Sequence, residues 1–227
     1  MSAKRRALIV AAVLLLAWML ISWLVVIQPI RGRVIDATTG RPVPGAVVTG
    51  AWIRKHMGFQ EALYGGPYRV VEAVTDRSGT YELPAWFGVD IHGPLTARAV
   101  SESPQLYIFA PGYEPRTAAN ARPAHTLMVR RSLWNGKDIL LTPAAPRSGA
   151  DTSGAVRQAN AELRHFQLEI ERLVGSTCSW EHVARILSAL WRYGKALGID
   201  QTVGPLSTMP QIRGCHQEKY FEQDAQK

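Results

Sequence analysis

The uninterrupted apolar run from Ala7 to Ile27, directly behind Lys4, Arg5 and Arg6, constrains this chain more than any other feature, because such a segment cannot face water all round. At about 1.5 Å rise per residue a helix over that run is roughly 30 Å long, the hydrocarbon thickness of a bilayer. Ser22 is its only hydroxyl, and it carries no charge. A cleavable export signal has a shorter apolar core followed by small residues, whereas this run ends in Val25, Val26, Ile27, Gln28 and Pro29. The pattern predicts an uncleaved transmembrane anchor, residues 1–28 including a short cytoplasmic tail. The basic triplet then stays in the cytoplasm and the bulk of the chain is exported. For a bacterial-type envelope protein this means a single pass through the inner membrane, with the body in the periplasm.

The formal charge of +8 would suggest a polyanion if it were concentrated. It is dispersed instead, and Arg130-Arg131 is the densest pair outside the N-terminus. Without a basic stripe the chain does not read as a nucleic-acid binder. Cys178 and Cys215 are the two cysteines, both in the part expected to be exported. An oxidising compartment favours a disulfide between them, and in the chain-entropy model a loop of that length stabilises the fold by about 3 to 4 kcal/mol. A zinc set of Cys178, His182, Cys215 and His216 is the rival, although adjacent Cys215 and His216 are poorly spaced for one tetrahedral ion. No cofactor or metal is therefore assigned.

From Ile30 to Thr142 the chain is written in short β-type phrases punctuated by Gly, Pro and Asp. Strands are predicted at 32–36, 46–52, 70–75, 80–83, 95–100, 106–109, 126–129 and 139–141. Asp76-Arg77-Ser78-Gly79 is a tight turn in which Asp76 accepts backbone hydrogen bonds and Gly79 takes a positive φ. Between the second and third strands, Ile53 to Tyr68 reads as a long loop. Residues 144–154 read as a linker rich in Pro, Gly and Ser, and a different period follows. Val156, Ala159, Leu163, Phe166, Ile170 and Leu173 recur at steps of three and four, as on an amphipathic helix closed by Gly175. Ser179 is placed to cap a second helix that turns Val183, Ile186, Leu187, Leu190 and Trp191 inward. Residues 155–227 thus form a helical hairpin with a tail that the disulfide would tie down.

Three phrases carry a resemblance: GRVIDATTGRPVPGAVV from Gly32, TDRSGTYELP from Thr75 and IFAPGYEP from Ile108. In that order they resemble carboxypeptidase regulatory-like domains, which are small transthyretin-like β-sandwiches, over roughly half of the chain. The resemblance implies a mainly β fold: a prealbumin-like Greek-key β-sandwich over residues 29–143, between the transmembrane helix and the C-terminal α-helical hairpin. It also implies an accessory role beside other proteins, because the shared residues are turn and core signals. Hydroxyisourate hydrolases of the same fold begin with a His-Val-Leu-Asp phrase and end in Tyr-Arg-Gly-Ser. Here the first phrase is Arg33-Val34-Ile35-Asp36 and the second is missing, so the imidazole for proton transfer is lost.

The remaining chemistry is sparse. The histidines form no HxH or HExxH pattern, and neither a Gly-x-Ser-x-Gly elbow nor a phosphate loop is present. His56, Phe59 and Tyr64 in the 53–68 segment, with Trp86 and His92 after it, are the candidate binding residues, since loops at one end of a sandwich converge. Trp52, Phe87 and Tyr68 extend that set as an aromatic platform, although core filling is the favoured use of most of these rings in a small sandwich. The expectation is a non-catalytic, membrane-anchored binding or scaffolding module whose partner is an envelope protein or glycan. The alternative is an envelope enzyme or metal site on the 53–68 loop, built on His56 and His92.

Overall fold

The computed structural model describes residues 3–22, 24–57, 62–89, 98–100, 104–119, 129–130, 132–144, 152–174 and 180–197. They form helix α1 (Ala3–Ser22), strands β1 (Leu24–Ile27), β2 (Ile30–Asp36), β3 (Val47–Met57), β4 (Ala62–Val74), β5 (Thr80–Leu83) and β6 (Trp86–Val89). Next come β7 (Arg98–Val100), β8 (Gln105–Phe109), β9 (Arg116–Ala118), β10 (Val129–Arg130) and β11 (Asp138–Leu141). Helices α2 (Thr152–Val174) and α3 (Ala184–Ala196) follow, separated by a 3-10 turn at Trp180–His182. The chain is mainly β, with several sheets and few helices, as a sandwich requires.

Two three-stranded sheets, β10-β1-β6 and β11-β2-β5, have the same pattern of neighbours. In each the central strand pairs antiparallel on one side and parallel on the other. They are consecutive stretches of the same course of chain, broken where Pro29 and Pro84 remove a ladder donor. The third sheet runs β4-β3-β8-β9, with β7 also on β3. Ile27, Ile30, Val34, Tyr81, Leu83, Ile139 and Leu141 from the small sheets meet Val48, Trp52, Leu106 and Ile108 of the large one in one core. The opposite face of the large sheet is apolar too. Val47, Ala51, Ile53, Val70, Tyr107 and Phe109 pack against Phe166, Ile170 and Leu173 of α2 and Ile186, Leu187 and Leu190 of α3. Of the periodic residues expected to face inward, Phe166, Ile170, Leu173, Val183, Ile186, Leu187, Leu190 and the partly buried Leu163 do so against the sheet, whereas Trp191 is only half-buried and the side chains of Val156 and Ala159 lie outside the described residues.

The turn chemistry explains why the quoted phrases recur. Asp36 Oδ1 accepts from the backbone N–H groups of Thr38 and Thr39, both at 2.8 Å. Its Oδ2 accepts from the Tyr113 hydroxyl at 3.0 Å, so the Ile-Asp end of β2 and the Pro-Gly-Tyr corner are one assembly. Asp76 Oδ1 accepts from Ser78 N, Ser78 Oγ and Thr80 N. Donors at both sites hold these carboxyl groups below their usual range, the Thr39 N–H foremost for Asp36 and the Ser78 hydroxyl for Asp76. Gly79 sits at φ +72, where a Cβ would come within 2.6 Å of the Val34 carbonyl. That position admits glycine alone.

Two expectations are corrected. The apolar run is not one helix: α1 ends at Ser22, and Leu24–Ile27 is a strand whose Ile27 is buried in the core. The apolar part of α1, from Ala7, is then only about 24 Å long. Among the described residues no helix is long and apolar enough to cross a membrane. The physical reason is the β-branched run Val25-Val26-Ile27, which prefers a pleated, half-buried surface and finds β6 to pair with. The 53–68 segment, second, is not an irregular loop, because β3 and β4 continue through it to Met57 and Ala62 with register shifts at Trp52/Ile53 and Ile53/Lys55. Cys178, Ser179, Cys215 and His216 lie outside the described residues.

Candidate functional site

Among the sequence-predicted residues, His56 and Tyr64 fall on the long hairpin, where His56 pairs with Leu63 and Tyr64 with Lys55. Phe59 and His92, and the side chains of His56 and Tyr64, lie outside the described residues. Trp86 is a core residue, its ring set edge-on to Trp52 at 5.3 Å and tilted on Tyr68 at 5.5 Å, with the Arg69 guanidinium over it at 5.5 Å. Burial of Trp52 and Trp86 takes them out of any surface platform, whereas Phe87 next door is exposed. Among the described residues no group of three metal-ligating side chains converges.

The structure draws attention elsewhere, to the junction between β4 and α3. The N-cap residue of α3, Val183, makes no side-chain capping bond. The first-turn donors are satisfied from the sheet instead: Arg185 N donates to Glu72 Oε2 and Ile186 N to Glu72 Oε1, both at 2.9 Å. The Thr49 hydroxyl on β3 donates to the same carboxylate at 3.3 Å. A carboxylate at a helix N-terminus is favoured by the exposed N–H groups and the helix dipole together. Burial nevertheless pushes the Glu72 carboxyl up, against the pull of the Ile186 and Arg185 N–H groups, the Thr49 hydroxyl and the Arg185 charge. Sequence rules for capping are local, and Ser179, the cap they suggest, lies outside the described residues. Glu72 lies 113 residues away from the amide it caps.

Two clefts flank this junction. One, of about 590 Å³, lies between Pro67, Arg69 and Glu72 of β4 and Leu173, His182 and Arg185 of the helical layer. The other, of about 520 Å³, lies between Val47, Val74 and Pro111 and the α3 residues Arg185, Arg192 and Tyr193. Arg185 borders both, and its side chain, like that of Arg192, is exposed. β4 is the terminal strand of its sheet among the described residues, and its residues from Pro67 to Glu72 line the first cleft while Val74 borders the second. Pro67 within it fits a terminal strand.

No family model matches the chain. No curated protein matches it either. Among solved structures, hydroxyquinol 1,2-dioxygenase from Pseudomonas putida DLL-E4 is 16% identical over 52% of this chain and 57% of its own, with a TM-score of 0.25. A 9R-lipoxygenase from Cyanothece PCC8801 is 12% identical over 78% of this chain and 25% of its own, with a TM-score of 0.27. The chain thus spans little more than half of the first and a quarter of the second. Neither superposition is close enough to carry an argument about fold or activity.

Removing the cap tests the junction. Glu72→Ala leaves two first-turn donors without their acceptor, and the cost expected from unfolding in urea is about 1 to 3 kcal/mol. Faster hydrogen exchange at Arg185 and Ile186 is expected with it, and unchanged exchange there would contradict the cap.

Glu171 on α2 provides a second test. Its half-buried carboxyl is pushed up to about 7 by burial, against the opposing charge of Arg164. Folding therefore favours the protonated form. That contribution to stability is full below the ordinary glutamate range and disappears as pH rises through about 7. Stability is expected to fall between about pH 5 and pH 8, with Glu72 adding to the same slope, and Glu171→Gln is expected to flatten it. An unaltered slope in that variant would refute the assignment.

Proposed function

We propose that this chain is a bilayer-anchored, non-catalytic binding module whose ligand is an extended, acidic segment of an envelope protein, bound along the open edge of β4 beside α3. The observation that carries this reading is the coincidence of three things in one place: a strand edge with no partner among the described residues, flanking clefts, and the exposed Arg185 and Arg192. An edge strand recognises an extended peptide through main-chain hydrogen bonds, and flanking pockets select alternate side chains. Guanidinium groups select carboxylates among those side chains. The buried carboxylate of the groove already accepts from three donors, which leaves it poorly placed to act as a free base. Arg33, where the hydrolases of this fold carry histidine, is paired bidentately to Asp138 at 2.9 and 2.7 Å.

The finer fold assignment belongs to the same proposal. A prealbumin-like Greek key related to carboxypeptidase regulatory-like domains is supported by the Asp36–Tyr113 assembly and the Asp76 turn, which give the shared phrases a common structural use. Membrane anchoring is supported by α1, on which Leu8, Ile9, Leu14, Leu15, Trp18 and Leu20 are all exposed. A helix that is apolar all round needs an apolar surrounding. In this reading Lys4, Arg5 and Arg6 stay on the cytoplasmic side and the body lies in the periplasm, with flanking residues or a thinned bilayer making up for the short apolar length of α1.

The test is a titration of the full chain in detergent with a short peptide alternating Glu and Val, read by hydrogen exchange. The acidic peptide is expected to slow exchange along β4, a Lys-Val peptide is not, and Arg185→Glu with Arg192→Glu is expected to abolish the effect. Equal protection by both peptides, or none, would overturn the reading. Protection by a peptidoglycan fragment in their place would move the ligand class to glycans.

A further inference from the structure

The sheet whose central strand, β1, follows α1 in the chain has an outward face that water does not suit. In the β1–β6 ladder Leu24 is opposite Val89 and Val26 opposite Phe87, while Val25 opposes Gly88 and Ile27 opposes Trp86. Directly opposed residues share a face, and alternate residues along a strand share it too. Ile27 and Trp86 are 1% and 6% exposed and belong to the core. Leu24, Val26, Phe87 and Val89 therefore point outward together, and Phe87 is 77% exposed. The arrangement is fixed, because the Tyr68 hydroxyl donates to the Val89 carbonyl at 3.1 Å and lies where a side chain on Gly88 would be.

Farther along the same course of chain the outward face changes character. On β2, β5 and β11 it carries the ion pairs Arg31–Glu82 at 3.0 Å and Arg33–Asp138 at 2.7 Å. A sheet with one face packed on the core and the other in water normally keeps the solvated face polar. Here Leu140, opposite Ile35, is the one exposed large apolar side chain described on the ion-paired part, whereas at the end that follows α1, after a single residue, Trp23, Leu24, Phe87 and Val89 are exposed together. Leu24 therefore lies within about 7 Å of the helix end. The apolar part of α1, about 24 Å long, falls short of a hydrocarbon layer of roughly 30 Å. A short inserted segment draws its flanking residues into the interface or thins the bilayer.

We propose that Leu24, Val26, Phe87 and Val89 form a lipid-docking face that rests in the interfacial layer of the same bilayer that holds α1. This rests on the anchoring reading above. It goes further by fixing the orientation of the body: the β10-β1-β6 end of the outward face lies against the membrane, and its ion-paired continuation on β2, β5 and β11 lies farther from the lipid.

The experiment uses the full chain reconstituted in phosphatidylethanolamine and phosphatidylglycerol vesicles, with p-benzoylphenylalanine placed in turn at positions 87, 89 and 168. Leu168 is an exposed apolar residue on α2 and is the control. Co-flotation with vesicles, with lipid adducts at 87 and 89 after irradiation and none above background at 168, is the expected result. Co-flotation without lipid adducts at 87 and 89, or with equal adducts at 168, overturns the docking face and leaves the anchor standing. Adducts at 87 to a second copy of the chain would also overturn it, by assigning the patch to self-association. Failure to float overturns the anchor and the docking face together.

Discussion

A β-sheet that is apolar on both faces must be covered twice, and that requirement organises this protein. β3 and β8 sit in the middle of the large sheet with scarcely an exposed residue between Val47 and Ile53 or between Leu106 and Phe109. One set, with Trp52, Leu106 and Ile108, closes on the small sheets to make the sandwich core. The other, with Tyr107 and Phe109, needs a second cover, and α2 and α3 supply it. Each large side chain so buried contributes about 1.5 to 3 kcal/mol relative to exposure, so neither face can be left open. The ring contacts Tyr107–Phe166 at 6.1 Å and Phe109–Tyr193 at 5.7 Å seat both helices on the same strand.

Apolar burial is not directional, so polar contacts fix where on the sheet the helices rest. The Thr117 hydroxyl on β9 donates to Glu169 of α2 at 2.8 Å, and Glu72 of β4 receives the first-turn amides of α3. These bonds tie the two outer strands of the sheet to different helices. The second one sets the α3 N-terminus beside β4, the terminal strand among the described residues, and brings Arg185 to both clefts. The geometry of the proposed binding groove follows from packing and capping, with no separate binding loop required.

Local signals in the sequence were sufficient for much of this. The three-and-four spacing of Phe166, Ile170 and Leu173 and of Ile186, Leu187 and Leu190 gave the helices and their inward faces. Asp76 and Gly79 gave a hairpin turn, since their chemistry acts within a few residues. Leu106-Tyr107-Ile108-Phe109 was readable as a strand, and the structure covers both of its faces. What was hidden is non-local. β1 is concealed inside an apolar run that helix and strand claim equally, and only pairing with β6 decides between them. Glu72 looks like the solvated side of β4 until α3 arrives over it. The exposed face of Phe87 depends on the register of β6 against β1, which no spacing rule supplies.

The direct test of the double-cover account is hydrogen exchange of the full chain across a urea series. If α3 is the second cover of the large sheet, amides of α3 at 186–190 and of β3 and β8 lose protection together, with the same dependence on urea. If α3 exchanges freely at urea concentrations where β3 and β8 remain fully protected, the helices are an appendage and the account is wrong.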